Sequence, residues 1–82
     1  MIKKSETMAT YYSKIHVQYK DGSKPKGAKV SLGFSTGVTK KFFTDRNGTA
    51  VVAHASRGTA KVFVRGRNVG TLRASGETVV FI

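Results

Sequence analysis

Residues 44–49 constrain the fold more than any other segment, because they read Thr-Asp-Arg-Asn-Gly-Thr between two apolar runs. The side chains of Asp45 and Asn47 can bond the backbone two residues further on, and Gly48 can take a positive φ without steric cost. Such a segment predicts a tight turn that reverses the chain between two β-strands. We therefore interpret Asp45, Asn47 and Gly48 as structural turn residues.

The rest of the sequence divides into short apolar segments with turn residues about every ten positions. Around Ile15 and Val17 the apolar and polar side chains alternate, which is typical of a half-buried strand. Seven such segments favour an antiparallel sandwich or a barrel, and no segment has helical spacing. The expected core residues are Ile15, Val17, Val30, Leu32, Phe42, Val51, Val62, Val64, Leu72, Val79 and Phe81.

The charge balance gives the main hint about function. Fifteen Lys and Arg stand against four Asp and Glu, which gives a formal net charge of +11. Such a balance favours association with polyanions such as nucleic acid or an anionic surface. Alternatively, the cations form a solvated outer face that keeps a β-protein soluble and blocks the pairing of strand edges.

The first residues contain two lysines without an apolar run behind them, so we expect no signal peptide. No stretch reaches the length of a membrane helix. The sequence has no cysteine, which slightly favours a reducing compartment, and we expect a cytoplasmic protein.

No motif points to catalysis or to a metal. His16 and His54 have no metal-ligand spacing, and Asp45, Asn47 and Thr49 lack the Glu that completes a calcium loop. There is no cysteine and no Gly-x-Ser-x-Gly motif. We therefore expect no enzyme activity and no cofactor, and a small hydrolase-like enzyme is the least favoured alternative.

The candidate polyanion-binding residues combine cations with one aromatic ring. Lys61, Phe63 and Arg65 alternate along one predicted strand and should share one side of it. Bases stack on aromatic faces while phosphates pair with cations, which suits a single strand of nucleic acid. Alternatively, Phe63 packs against a neighbouring chain or a lysine stem within a solvated face. The full candidate set is Lys40, Lys41, Arg46, Lys61, Phe63, Arg65 and Arg67.

Four segments resemble those of the carboxypeptidase regulatory-like domains, within the wider transthyretin-like, prealbumin-type group. They are Tyr-Lys-Asp-Gly at 19–22, Pro-Lys-Gly-Ala-Lys-Val at 25–30, Thr-Asp-Arg-Asn-Gly at 44–48 and Gly-Thr-Ala-Lys-Val at 58–62. The likeness extends over residues 12–82. Bacterial immunoglobulin-like repeats and pilin-type B domains have similar turns.

The resemblance implies an all-β fold: a single seven-stranded antiparallel sandwich of Greek-key type, transthyretin-like or immunoglobulin-like. We expect it over residues 11–82, after a flexible segment of residues 1–10. Domains of this kind are usually non-catalytic modules for stability, spacing or binding. The 5-hydroxyisourate hydrolases of the group end in Tyr-Arg-Gly-Ser, whereas residues 79–82 read Val-Val-Phe-Ile, so their chemistry is not implied.

The leading expectation is therefore a non-enzymatic module for structural support or protein–protein interaction, with an unidentified protein partner. The alternative is a basic protein that binds single-stranded nucleic acid or another polyanion. The sequence does not specify the oligomeric state.

Overall fold

The computed structural model describes residues 10–82, so nearly all of the predicted flexible segment 1–10 lies outside the described residues. The described part is all-β, without a helix, and therefore without any helix that could span a membrane. The strands are β1 (Tyr11–Gln18), β2 (Lys29–Phe34), β3 (Gly37–Val38), β4 (Phe42–Phe43), β5 (Thr49–His54), β6 (Gly58–Val64), β7 (Arg67–Ala74) and β8 (Glu77–Phe81).

The strands form two sheets. The smaller sheet has the order β5-β1-β8, and the larger sheet has the order β3-β2-β6-β7, with β4 also pairing with β2. The predicted all-antiparallel arrangement is wrong for one pair, because β1 and β8 run parallel. Hairpin neighbours must be antiparallel, but β8 enters the smaller sheet from β7 of the larger sheet, so no hairpin fixes its direction relative to β1.

Residues 10–82 form eight strands where the sequence predicts seven, because the segment predicted as one strand over residues 38–43 is interrupted. Gly33 of β2 pairs with Val38 of β3, and Val30 of β2 pairs with Phe42 of β4. Between these pairs the Leu32 N–H donates to the hydroxyl oxygen of Thr39 at 3.0 Å. A side-chain oxygen thus takes the place of a backbone carbonyl, and the regular ladder breaks there.

One apolar core is enclosed by side chains of both sheets. Ile15 and Val17 come from the smaller sheet, and Val30, Leu32 and Val62 come from the larger sheet; all are essentially inaccessible to solvent. The expected residues Val64 and Leu72 are also buried, and Phe42 is half-buried against the core. Val52 and Val80, which the sequence did not single out, complete the core from β5 and β8.

The core prediction is wrong for three residues: Val51 is 48% exposed, Val79 52% and Phe81 55%. In β5 and β8 apolar residues are adjacent in the sequence, so alternation alone does not tell which face is buried. The register resolves this, because buried Val17 lies opposite Val80, and Gln18 lies opposite Phe81. Paired residues point to the same side of a sheet, so Val80 faces the core and Phe81 faces outward.

The turn at residues 44–49 has the conformation expected from its sequence. Gly48 has a φ of 74°, and its N–H donates to the Asp45 carbonyl at 3.0 Å. The Asp45 carboxylate accepts backbone N–H bonds from Asn47 at 2.8 Å and Thr49 at 3.0 Å. The Gly48 carbonyl accepts from the Val17 N–H at 2.7 Å, which ties the turn to the smaller sheet.

Candidate binding surfaces

The outer face of the larger sheet brings together exposed apolar side chains from three strands. Val30 is buried, so its neighbour Lys29 points outward, and Phe43 lies opposite Lys29 on β4. Phe43 is 61% exposed, and Val38 is exposed on the same edge of the sheet. Phe63 of β6 points outward on the other side of β2, because Val62 and Val64 on either side of it are buried.

The Phe63 ring lies across the glycine at position 33. A Cβ atom built on Gly33 would lie only 2.7 Å from Cε2 of Phe63, so the ring occupies the space that any other side chain would need. Ser31, directly opposite Phe63, is buried although it points to the outer side of the sheet. Phe63 is half-buried, and it therefore forms a low aromatic platform on the sheet.

Three cations lie on the same side of the larger sheet as this platform. Lys61 lies two residues before Phe63 on the same side of β6. Lys29 lies on the neighbouring strand β2 and points to the same side of the sheet. Arg73 of β7 pairs with Thr59 and shares that side of the sheet. All three cationic side chains are exposed. We call this surface the basic–aromatic face and define it by Lys29, Val38, Phe43, Lys61, Phe63 and Arg73.

The three acidic residues of the described chain lie elsewhere and have local partners. The Ser23 hydroxyl donates to the Asp21 carboxylate at 2.7 Å, which lowers the pKa of Asp21. Backbone N–H bonds, from Thr49 first and then from Asn47, lower the pKa of Asp45. Among residues 10–82 no carboxylate forms a salt bridge with a Lys or Arg, so the positive potential of the face is not neutralised by an acid of that part of the chain.

The third acid, Glu77, belongs to the outer face of the smaller sheet. Nε2 of His16 donates to its carboxylate at 2.7 Å, and this hydrogen bond lowers the pKa of Glu77. The other ring nitrogen of His16 lies 2.9 Å from the Thr49 hydroxyl. The side chains of Glu77, His16 and Thr49 thus link β8, β1 and β5. Residues 10–82 contain no cluster of three acidic, His or Cys side chains that could hold a metal ion.

A cleft of about 650 Å³ opens at one end of the domain, where the two sheets separate. The residues that line it include Tyr19, which follows β1, Val69 of β7 and Phe81 of β8. Arg65 and Arg67, from the turn between β6 and β7, line the same cleft. Nη2 of Arg65 donates to the Tyr19 hydroxyl at 3.1 Å, and the guanidinium carbon lies 5.9 Å from the Tyr19 ring centroid.

The structure separates the cations that the sequence grouped together. Lys61 and Phe63 lie on the basic–aromatic face, whereas Arg65 and Arg67 lie in the end cleft, because the chain turns at Arg65 and Gly66. A register shift between Val62 and Phe63 accompanies this change of direction. Lys40 and Lys41 are exposed between β3 and β4, and Arg46 is exposed in the turn before β5.

Sequence reasoning missed Lys29, Phe43 and Arg73 as members of the face. Each lies at an outward position of its strand, and for Lys29 the alternation with buried Val30 already indicated this. The pairing of β4, β2, β6 and β7 that brings them together is long-range, and one sequence carries no direct signal of it.

His54, the second histidine of the chain, is buried. Nδ1 of His54 contacts the Ser56 carbonyl at 2.8 Å and must donate, since a carbonyl only accepts. In the neutral ring Nε2 therefore accepts from the Ser13 hydroxyl, at 2.8 Å. Tyr11 and Phe34 pack against the imidazole. Ser13 is 0% exposed, so this Ser–His pair has no access to a substrate and serves as a hydrogen bond within the fold.

Comparisons with known proteins inform the fold. No family model and no curated protein matches the sequence. A solved structure titled "The Bacillus anthracis TIE protein" is similar over 90% of this chain, with a TM-score of 0.60 and 14% sequence identity. The chain spans 16% of the length of that protein chain. At this identity the similarity extends to the all-β fold alone.

Proposed function

We propose that this domain is a non-enzymatic binding module whose basic–aromatic face binds single-stranded nucleic acid. The observation that carries the proposal is that exposed Phe43, the Phe63 platform and three cations share one face, without a described carboxylate on that face. Single strands bind where bases stack on aromatic rings while cations pair with the phosphates.

The composition of the face favours a polyanion over a protein partner. Its apolar part is limited to Val38, Phe43 and Phe63, and its charged residues among the described ones are all cationic. A protein partner would have to present an acidic segment to match it. Support for a non-enzymatic role comes from the Ser13–His54 pair, whose burial leaves the hydroxyl without access to a substrate.

We further propose that the fold belongs to the transthyretin-like group, close to the carboxypeptidase regulatory-like domains. The support is spatial, since two of the segments that carry the resemblance meet: the Thr44 hydroxyl contacts both Pro25 and Ala28. An experimental structure in which these residues lie apart would remove this support.

The test of the proposed function is a fluorescence anisotropy titration with labelled oligothymidylate at low salt. Phe43→Ala should weaken binding about 5- to 150-fold, the equivalent of roughly 1–3 kcal/mol for a stacked base. Tyr12→Ala is the matched control, because Tyr12 is also 61% exposed but lies on the outer face of the smaller sheet. Tyr12→Ala should leave the affinity nearly unchanged, and Phe43→Ala should affect duplex binding less than single-strand binding.

Two results would overturn the proposal. One is the absence of binding to single strand or duplex at low salt, where the electrostatic contribution is largest. The other is binding of labelled oligoglutamate as tight as that of oligothymidylate, with the same loss in Phe43→Ala. That second result would indicate an acidic protein segment as the partner.

A further inference from the structure

We propose that the end cleft is a second binding site, distinct from the basic–aromatic face, for a small phosphate ester that carries a planar ring, such as a nucleoside monophosphate. The cleft volume of about 650 Å³ lies within the range of small-molecule sites. Its lining combines the aromatic residue Tyr19 and the apolar residue Val69 with two arginines, Arg65 and Arg67.

Arg65 has an unusual backbone conformation for an arginine. Its φ is 54° and that of Gly66 is 81°, so both central residues of the β6–β7 hairpin are left-handed. Such two-residue turns prefer Asn-Gly, and a side chain without local bonding is disfavoured there by roughly 1–2 kcal/mol. The Arg65 guanidinium is nevertheless fixed, since it donates to the Tyr19 hydroxyl at 3.1 Å. An unfavourable turn residue whose cation is fixed at a cleft favours a role in binding.

Arg67 approaches the cleft from the next strand. It pairs with Val64, whose side chain faces the core, so Arg67 points to the inner side of the larger sheet at its end. Arg65 and Arg67 therefore line one opening, and within residues 10–82 neither forms a salt bridge with a carboxylate. Paired guanidinium groups match the several oxygens of a phosphate, and a dianionic phosphate gains more from two cations than a carboxylate does.

The aromatic residue Tyr19 favours a ligand that carries a planar ring. Tyr19 is half-buried and already carries the Arg65 guanidinium near its ring, at 5.9 Å from the centroid. Phe81 borders the cleft from the smaller sheet, but its side chain faces the outer side of that sheet, so Val69 of the larger sheet supplies the apolar contact beside Tyr19. A planar ring can pack on Tyr19 and Val69 while its phosphate contacts the arginines. This arrangement predicts that ring and phosphate together bind more tightly than either part alone.

The experiment titrates adenosine 5′-monophosphate, adenosine, inorganic phosphate and N-acetylphenylalanine separately into ¹⁵N-labelled protein. We expect adenosine 5′-monophosphate to bind at least about tenfold more tightly than the other three, which corresponds to 1.4 kcal/mol. The amide shifts should concentrate at Tyr19, Arg65, Arg67 and Phe81. Arg67→Ala should abolish the preference for the phosphorylated ligand.

Arg65→Gly separates binding from folding, because glycine adopts the left-handed turn without strain while the whole arginine side chain, with its guanidinium, is removed. We expect this variant to keep or raise the melting temperature and to lose the preference for the phosphate. Arg57→Ala is the matched control, since Arg57 lies over the Tyr11 ring, at 5.6 Å, in an equivalent cation–ring contact outside the cleft. Arg57→Ala should bind adenosine 5′-monophosphate with the same affinity as the wild type.

Equal affinities for adenosine 5′-monophosphate and inorganic phosphate would overturn the proposal, as would shifts centred on Phe43 and Lys61 instead of the cleft. A failure of this proposal can be distinguished from a failure of the proposed nucleic-acid binding. A saturating monophosphate should not displace oligothymidylate from the basic–aromatic face, and Phe43→Ala should leave monophosphate binding intact.

Discussion

The Thr44 side chain joins the turn before β5 to the loop before β2 through its contact with Pro25. The Thr44 hydroxyl donates to the Pro25 carbonyl at 2.7 Å and accepts from the Ala28 N–H at 2.9 Å. The backbone adds a bond from the Thr44 N–H to the Ala28 carbonyl at 3.0 Å. Because Thr44, Pro25 and Ala28 are all buried, these bonds fix two loops that sequence reasoning treated as independent turns.

Thr44→Val should destabilise the domain by about 2 kcal/mol or more. Valine keeps the shape but leaves the buried Ala28 N–H and the buried Pro25 carbonyl without the hydroxyl partner. Thr44→Ser keeps the hydroxyl and should retain most of the stability. Urea unfolding of both variants measures the difference, and a larger loss in Thr44→Ser than in Thr44→Val would show that the methyl group of Thr44, not its hydroxyl, stabilises the fold.

Gly48→Ala should cost about 2–4 kcal/mol, because two separate effects add. The residue has a φ of 74°, and a Cβ there would lie 2.6 Å from the Val17 carbonyl oxygen. Gly22→Ala is the matched control, since Gly22 has a φ of 94° but no atom within 4 Å of its Cβ position. Gly22→Ala should cost only about 1 kcal/mol. Similar melting temperatures for the two variants would exclude the steric contribution at Gly48.

Stability should fall in acid as the folded-state carboxylates become protonated. The pKa of Asp45 is lowered in the folded protein by the N–H groups of Thr49 and Asn47. A group with a lowered folded-state pKa contributes stability that is present above its unfolded pKa, about 3.9, and is lost as the pH falls through the folded pKa. Melting temperatures between pH 7 and pH 2 should therefore drop less steeply below pH 4 in Asp45→Asn, and an acid limb identical to that of the wild type would contradict this.

Gly33→Ala should displace the Phe63 ring from the outer face of the larger sheet. The new Cβ would lie 2.7 Å from Cε2 of that ring, so the ring must move or the strands must shift. In the Phe63→Ala background the same change should cost much less, and the difference between the two costs measures the contact. Additive losses of unfolding free energy would show that the ring and the glycine are independent.

The sequence predicted the strands better than their pairing. Alternation located Ile15, Val17, Val30 and Leu32 in the core, because each is flanked by polar or small residues. It was wrong at Val79, since Val79 and Val80 are adjacent and only the register with β1 decides which is buried.

Predicting which residues share a candidate surface required the same knowledge of long-range strand pairing. Lys61 and Phe63 were correctly placed on one outward side, because they share a strand. Arg65 was misplaced with them, because its left-handed φ turns the chain into the end cleft. An arginine at such a position carries no recognisable turn signal in a sequence, where Asn or Gly would have indicated it.

The salt dependence of oligothymidylate binding should identify which cations contact phosphate. For a single strand each phosphate contact contributes about −0.7 to the slope of log K against log salt concentration. Lys29→Ala and Arg73→Ala should each reduce the slope by about that amount, because both side chains lie on the basic–aromatic face. Lys14→Ala removes the same charge from the outer face of the smaller sheet and should leave the slope unchanged. If all three variants shift the slope equally, the binding is a response to net charge, and the face has no specific role in it.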